Sequence, residues 1–108
     1  MGKEWKVSEG TGWIELDGLG RINPRRDSVD DGRQYFTVKT ADDAFADVRG
    51  EGISGGPETW YFEFDQSFTV RDPKSGTVLE VQISLLPGGK YSLKYRDAEW
   101  PQDSSGGW

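Results

Sequence analysis

From Trp60 to Val70 every even position except Gln66 is apolar: Trp60, Phe62, Phe64, Phe68 and Val70. From Leu79 to Leu85 the odd positions take over with Leu79, Val81, Ile83 and Leu85, and Tyr91, Leu93 and Tyr95 continue the set. Alternation with a period of two marks strands with one face buried and one face wet. No other feature restricts the possible folds of this chain as strongly. It predicts three consecutive antiparallel strands, the first of them running from residue 60 to residue 70.

The registers of the two hairpins follow from the same pattern, because apolar side chains on paired strands must share a face. Pairing Val70 with Leu79 leaves Pro73-Lys74-Ser75-Gly76 as the loop and sets Phe68 against Val81 and Phe64 against Leu85. Placing Leu86 opposite Lys90 leaves Pro87-Gly88-Gly89, with glycine available for a left-handed turn position. Ile83 then meets Leu93 and Val81 meets Tyr95. On the wet face Gln82 meets Lys94 and Glu80 meets Arg96, so opposite charges face each other. Core parity and surface charge thus select one register independently.

The rest of the chain is less regular. Residues 3–8 and 13–17 read as two short strands, and Glu9-Gly10-Thr11-Gly12 between them suits a hairpin turn. Residues 18–32, with Gly18, Gly20, Pro24 and Gly32, read as a long charged loop with a short extended piece near Arg21 and Ile22. Residues 33–39 return to strand character through Tyr35, Phe36, Thr37 and Val38. Thr40 can cap a helix, Ala41, Ala44 and Ala46 favour one, and Gly50 can stop it, so a short helix is expected near residues 41–49. Residues 51–58 read as a connector. The expected architecture is α+β and mostly antiparallel β. It is a curled meander of about six strands, a roll or partial barrel, with one short helix, forming one domain over residues 1–97. Residues 98–108 are expected to be a flexible tail unless Trp100 or Trp108 docks.

Composition narrows the chemistry. The 108 residues carry a net charge of -6 and contain neither histidine nor cysteine. A negative chain lacks the basic face that meets phosphates, which argues against nucleic acid and anionic membranes as partners. Without histidine the commonest general base and metal ligand is missing. Without cysteine there is no disulfide scaffold or thiol nucleophile. No cofactor, metal or catalytic residue is expected, and Ser8, Ser28, Ser54, Ser67, Ser75, Ser84 and Ser92 have no histidine to activate them. The Asp27, Asp30 and Asp31 cluster lacks the alternate spacing of a calcium loop and is flanked by Arg25, Arg26 and Arg33. No apolar run resembles a signal peptide or a membrane span, so a cytoplasmic location is the default expectation.

Two sets of residues emerge as candidate sites. Tyr61, Glu63 and Asp65 alternate onto the wet face of the predicted 60–70 strand, and Arg25 and Arg26 of the expected 18–32 loop are the next candidates. These five are the expected partner-binding residues of a small, acidic, non-catalytic protein-binding module. Such a module could mask a basic enzyme as an inhibitor or immunity protein, or self-assemble by pairing an edge strand such as residues 3–8 across a two-fold axis. The alternative is a small-ligand pocket with Trp13, Trp60 and Gln66 inside and Arg33 at its rim, cryptic enzymatic activity being a variant of that reading. Gln66 stands out because the register turns its amide toward the core, where it must bond backbone at a bulge or line a polar pocket.

Overall fold

The computed structural model describes residues 4–27, 33–63 and 66–101. Among them are ten strands: β1 (Lys6–Gly10), β2 (Ile14–Leu16), β3 (Gly20–Asp27), β4 (Arg33–Thr40), β5 (Asp47–Arg49), β6 (Ser54–Gly55), β7 (Trp60–Phe62), β8 (Ser67–Arg71), β9 (Val78–Leu85) and β10 (Tyr91–Asp97). They form two five-stranded sheets, ordered β1-β10-β9-β8-β5 and β2-β3-β4-β7-β6, with every pairing antiparallel. The first is called sheet A here and the second sheet B. Their inner faces share one core: Phe36 of sheet B stacks on Phe68 of sheet A with ring centroids 4.6 Å apart. Ile22, Val38, Val70, Val81, Ile83 and Leu93 fill the space around that pair and are fully buried.

The C-terminal hairpins adopt the expected registers. Val70 pairs with Leu79 and Phe68 with Val81, while Ile83 pairs with Leu93, Val81 with Tyr95, Gln82 with Lys94 and Glu80 with Arg96. Leu86 donates its N–H to the Lys90 carbonyl across the Pro87–Gly89 turn, a single turn of 3-10 helix. The Phe64–Leu85 pairing involves a position outside the described residues.

The predicted 60–70 strand is two strands in different sheets. β7 pairs with β4 in sheet B and β8 pairs with β5 and β9 in sheet A. Both strands turn their even positions to the same core, so apolar parity survives the passage from one sheet to the other. Period-2 alternation reports which way a side chain points, not which sheet the strand belongs to. Gln66, the exception to the pattern, lies at that crossing.

The N-terminal half departs further from expectation. β1 and β2 are not a hairpin: β1 pairs with β10 and β2 with β3, so the glycine-rich link between them turns a corner between sheets. The expected loop over residues 18–32 contains β3, an eight-residue strand. Its Pro24 is tolerated because β2 ends its pairing at Ile22, leaving the edge of β3 beyond that point open, and proline needs no ladder bond there. Gly20 of β3 packs so tightly on β4 that a Cβ there would lie 2.0 Å from the Lys39 carbonyl oxygen. The connector over residues 51–58 holds β6, which pairs with β7.

Residues 41–49 do not form a helix. Thr40 does act as a cap, its hydroxyl accepting the Ala44 N–H at 3.3 Å, but the bond closes a single turn in which Asp43 has φ 65°. The chain then extends, with Ala46 N–H donating to the Val38 carbonyl and Val48 pairing with Val70. Ala46 and Val48 are buried while Phe45 and Arg49 are exposed. An isolated helix of nine residues is marginal in water, and burying Ala46 and Val48 on one extended face decides for the strand.

Candidate functional site

On β3 the odd positions Arg21, Asn23 and Arg25 point away from the core, and on β4 the odd positions Tyr35, Thr37 and Lys39 do the same. Register brings Arg25 opposite Tyr35, Tyr35 opposite Tyr61 and Tyr61 opposite Ser54, a row across four strands of the outer face of sheet B. The Arg25 guanidinium lies 4.7 Å above the Tyr35 ring centroid, and the Tyr35 and Tyr61 rings are 6.0 Å apart. Arg25 also donates through Nη2 to the Thr37 hydroxyl at 2.7 Å. With its amide oriented to satisfy both neighbours, Asn23 accepts from Arg25 Nη1 at 3.2 Å and donates to the Gly12 carbonyl. Arg25 Nε is buried and unpartnered. Among the described residues no carboxylate pairs with Arg25, and its guanidinium is held there by the Thr37 hydroxyl, the Asn23 amide oxygen and the Tyr35 ring.

Further along the same face, the Arg21 guanidinium sits 5.0 Å from the centroid of the exposed Trp13 ring and pairs with Asp43. Lys39 reaches Asp43 at 3.6 Å and lies over the Phe45 ring. The Arg21 hydrogen bond, then the Lys39 charge, hold the Asp43 carboxyl below the usual carboxylate value. Both cations at this end therefore share the Asp43 carboxylate, whereas no described carboxylate pairs with Arg25.

The predicted residues are placed unequally. Tyr61 and Arg25 are brought together through Tyr35, which the sequence reading left out of the site. Glu63 is exposed just past β7 and lines a concavity with Tyr61, Gln34 and Ser54. Arg26 points to the opposite side of β3 from Arg25, near enough to lower the Tyr91 pKa against a larger upward push from burial. Asp65 lies outside the described residues, as do Asp30, Asp31 and the side chains of Asp27 and Arg33. Alternation along β3 was the signal for the Arg25 row; Gly18, Gly20 and Pro24 disguised it as loop.

The alternative pocket is not assembled. Trp13 belongs to the outer face of sheet B, whereas Trp60 packs against the core on its inner side. Trp60 instead borders a groove of about 540 Å³ between β5 and the β6–β7 turn, with Phe45, Pro57, Asp47, Arg71 and Trp100. There Arg71 bonds Asp47 through Nε and Nη2, and its guanidinium lies 4.3 Å from the Trp100 ring centroid. The Trp60 Nε1 is buried without a partner. Gln66 Oε1 is likewise buried and unpartnered, against Gly52, where an added Cβ would approach it to 2.5 Å. Gln66 thus marks the sheet crossing rather than the groove. Glu63 and Glu80 do not share a face: Glu80 is in sheet A, paired with Arg96 at 2.9 Å.

No family model matches the sequence, and no curated protein or solved structure matches it at a significant level. No helix among the described residues is long and apolar enough to cross a membrane. The assignment of a role therefore rests on the chemistry of these surfaces.

Proposed function

We propose that this chain is a non-catalytic protein-binding module whose contact surface is the outer face of sheet B, centred on Arg25, Tyr35 and Tyr61. The row of one arginine and two tyrosines across adjacent strands supports this reading. Tyrosine and arginine are enriched among the residues that dominate binding energy, since both offer large contact area and directed hydrogen bonds. A sheet fixes their positions before the partner arrives, which lowers the entropy cost of association. The stacked guanidinium keeps its charge and its planar donors, the features that recognise carboxylates and carbonyls on a protein surface.

The net charge of -6 governs approach instead of grip. It favours a partner of opposite overall charge, so association slows as salt rises while dissociation changes little. An inhibitor or immunity-type protein masking a basic enzyme fits that pattern. Affinity capture from a source lysate, run in parallel with the unaltered chain, Tyr61→Ala and Gln82→Ala, tests the proposal. Gln82 lies on the outer face of sheet A. A protein retained by the unaltered chain and Gln82→Ala but lost with Tyr61→Ala, a drop of about 2 kcal/mol or more in binding, is the expected result. Equal retention by both variants contradicts the assignment.

A further inference from the structure

We propose that β1 pairs with β1 of a second copy of this chain, antiparallel and in a register centred on Val7, so that sheet A continues across a two-fold axis. The surface is separate from the outer face of sheet B and does not depend on its role.

The four sheet edges differ. β2 and β5 have three residues each and β6 has two, lengths too short to template another strand. The open stretch of β3 carries Pro24. β1 is the exception: five residues without proline, bonded to β10 on one side and, among the described residues, making no strand pairing on the other. Every second main-chain N–H and C=O along it is directed outward. Val7 on this strand is 60% exposed, the most exposed of the large hydrophobic residues described.

Two-fold symmetry about an axis perpendicular to the sheet requires residues on the same face to meet, which leaves few registers. Centring on Lys6 sets two ammonium groups against each other. Centring on Ser8 sets Val7 against Glu9 and leaves the valine wet. Centring on Val7 packs the two valines together, with Lys6 opposite Ser8 and Trp5 opposite Glu9. That last pair is electrostatically matched. Trp5 lies beneath the Arg96 guanidinium, 4.1 Å from its ring centroid, and Lys94 is 5.9 Å away. The incoming Glu9 carboxylate therefore arrives at an indole flanked by Lys94 and by Arg96, the latter already paired with Glu80. Lys6, which shares the inward parity of Tyr95, meets a neutral serine and keeps its charge in water.

The seam is short, so the dimer should be weak, with a dissociation constant on the order of micromolar or higher. The absence of cysteine makes the register directly testable. In the Val7-centred pairing the two Val7 Cα atoms lie about 5 Å apart, within disulfide reach, whereas the two Ser8 Cα atoms are roughly 8 Å apart and beyond it. Val7 is exposed, so Val7→Cys should fold normally. The experiment compares Val7→Cys with Ser8→Cys under mild oxidation, alongside sedimentation equilibrium of the unaltered chain from low micromolar to near-millimolar concentration. The expected result is a concentration-dependent dimer, with Val7→Cys cross-linking roughly tenfold or more faster than Ser8→Cys. A chain that stays monomeric throughout, with Val7→Cys no faster than Ser8→Cys, overturns the proposal. So does a dimer in which Val7→Cys has no advantage, because another surface then carries it.

Discussion

On the outer face of sheet A, Arg96 is held by Glu80 at 2.9 Å and Arg71 by Asp47 at 2.7 Å. On the outer face of sheet B, Arg25 pairs with no carboxylate among the described residues; it gives N–H groups to Thr37 and Asn23 and its flat side to Tyr35. Both faces cover the same core and both place arginine beside aromatic rings, since Trp5 lies under Arg96 as well. They differ in how the charge is compensated. An arginine in an exposed ion pair has its charge already answered by a carboxylate, and the pair contributes little to stability. An arginine positioned by a hydroxyl, an amide oxygen and a ring is equally fixed, but by neutral groups. Two faces of similar composition can thus have different capacities to bind, and the neutralising partner is the feature that separates them.

The largest expected contrast between the sheets is steric. Gly20→Ala drives a Cβ into the Lys39 carbonyl at the end of the β3–β4 pairing where Gly20 faces Thr40, and should cost about 3 kcal/mol or more in urea denaturation. Gly76→Ala in the β8–β9 hairpin meets nothing within 4 Å and bears only its φ of +84°, a cost of about 1 kcal/mol. Equal losses would show that the tight β3–β4 contact is not maintained in solution. Next in size is the support of Arg25. Thr37→Val removes the hydroxyl that a half-buried cation donates to, with an expected cost of about 1–2 kcal/mol. Glu80→Gln in the surface pair of sheet A should cost about 0.5 kcal/mol. If Glu80→Gln proved the more damaging, the contrast between the two faces would have to be reversed.

The smallest contrast is in titration. Asp43 on sheet B and Asp72 in the β8–β9 hairpin both have lowered pKa values. Burial alone would raise the Asp72 pKa, but the Lys74 N–H and the Ser75 hydroxyl bond its carboxylate at 3.0 Å each and bring it below the usual value. Asp43 is lowered chiefly by its hydrogen bond to Arg21 and by the Lys39 charge. In both cases the folded state binds protons less readily than the unfolded state. The stability each contributes is present above the ordinary carboxylate pKa and is lost as pH falls through the lowered one. Molar salt, followed by NMR titration, should move Asp43 upward and leave Asp72 nearly unchanged.

How far the chain could be read without its structure also divides by sheet. The β8-β9-β10 meander follows directly from its residues because consecutive strands pair with each other. There one face is wet, and Glu80–Arg96 corroborates the register that Val81–Tyr95 demands. Sheet B has its own consecutive run, β2-β3-β4, but β3 is hidden by its glycines and proline, and β7 joins β4 only after the chain has passed through sheet A; such crossing preserves inside-out parity. Trp60 to Val70 could therefore look like one strand although Phe62 and Phe68 belong to different sheets. Gly20 and Pro24 signal loop locally; tight packing on Lys39 and an open edge make them acceptable in a strand. Ala41, Ala44 and Ala46 favour helix locally, yet the core needs Ala46 and Val48 on one side. Of the candidate site, Tyr61 was visible as a wet-face residue and Arg25 as one of an arginine cluster in an expected loop. Tyr35, which joins them, was not, because its role depends on the β3–β4–β7 register.

The direct test of the central claim is site-specific photo-cross-linking with a benzophenone amino acid at position 61 and, in a second sample, at position 82. Both positions lie on outer faces, one on each sheet, and neither is in the core. Cross-linking of one defined protein from position 61 but not from position 82 is the predicted result, and Arg25→Ala should abolish it. Cross-linking of that protein from position 82 alone would place the binding face on sheet A and contradict the account.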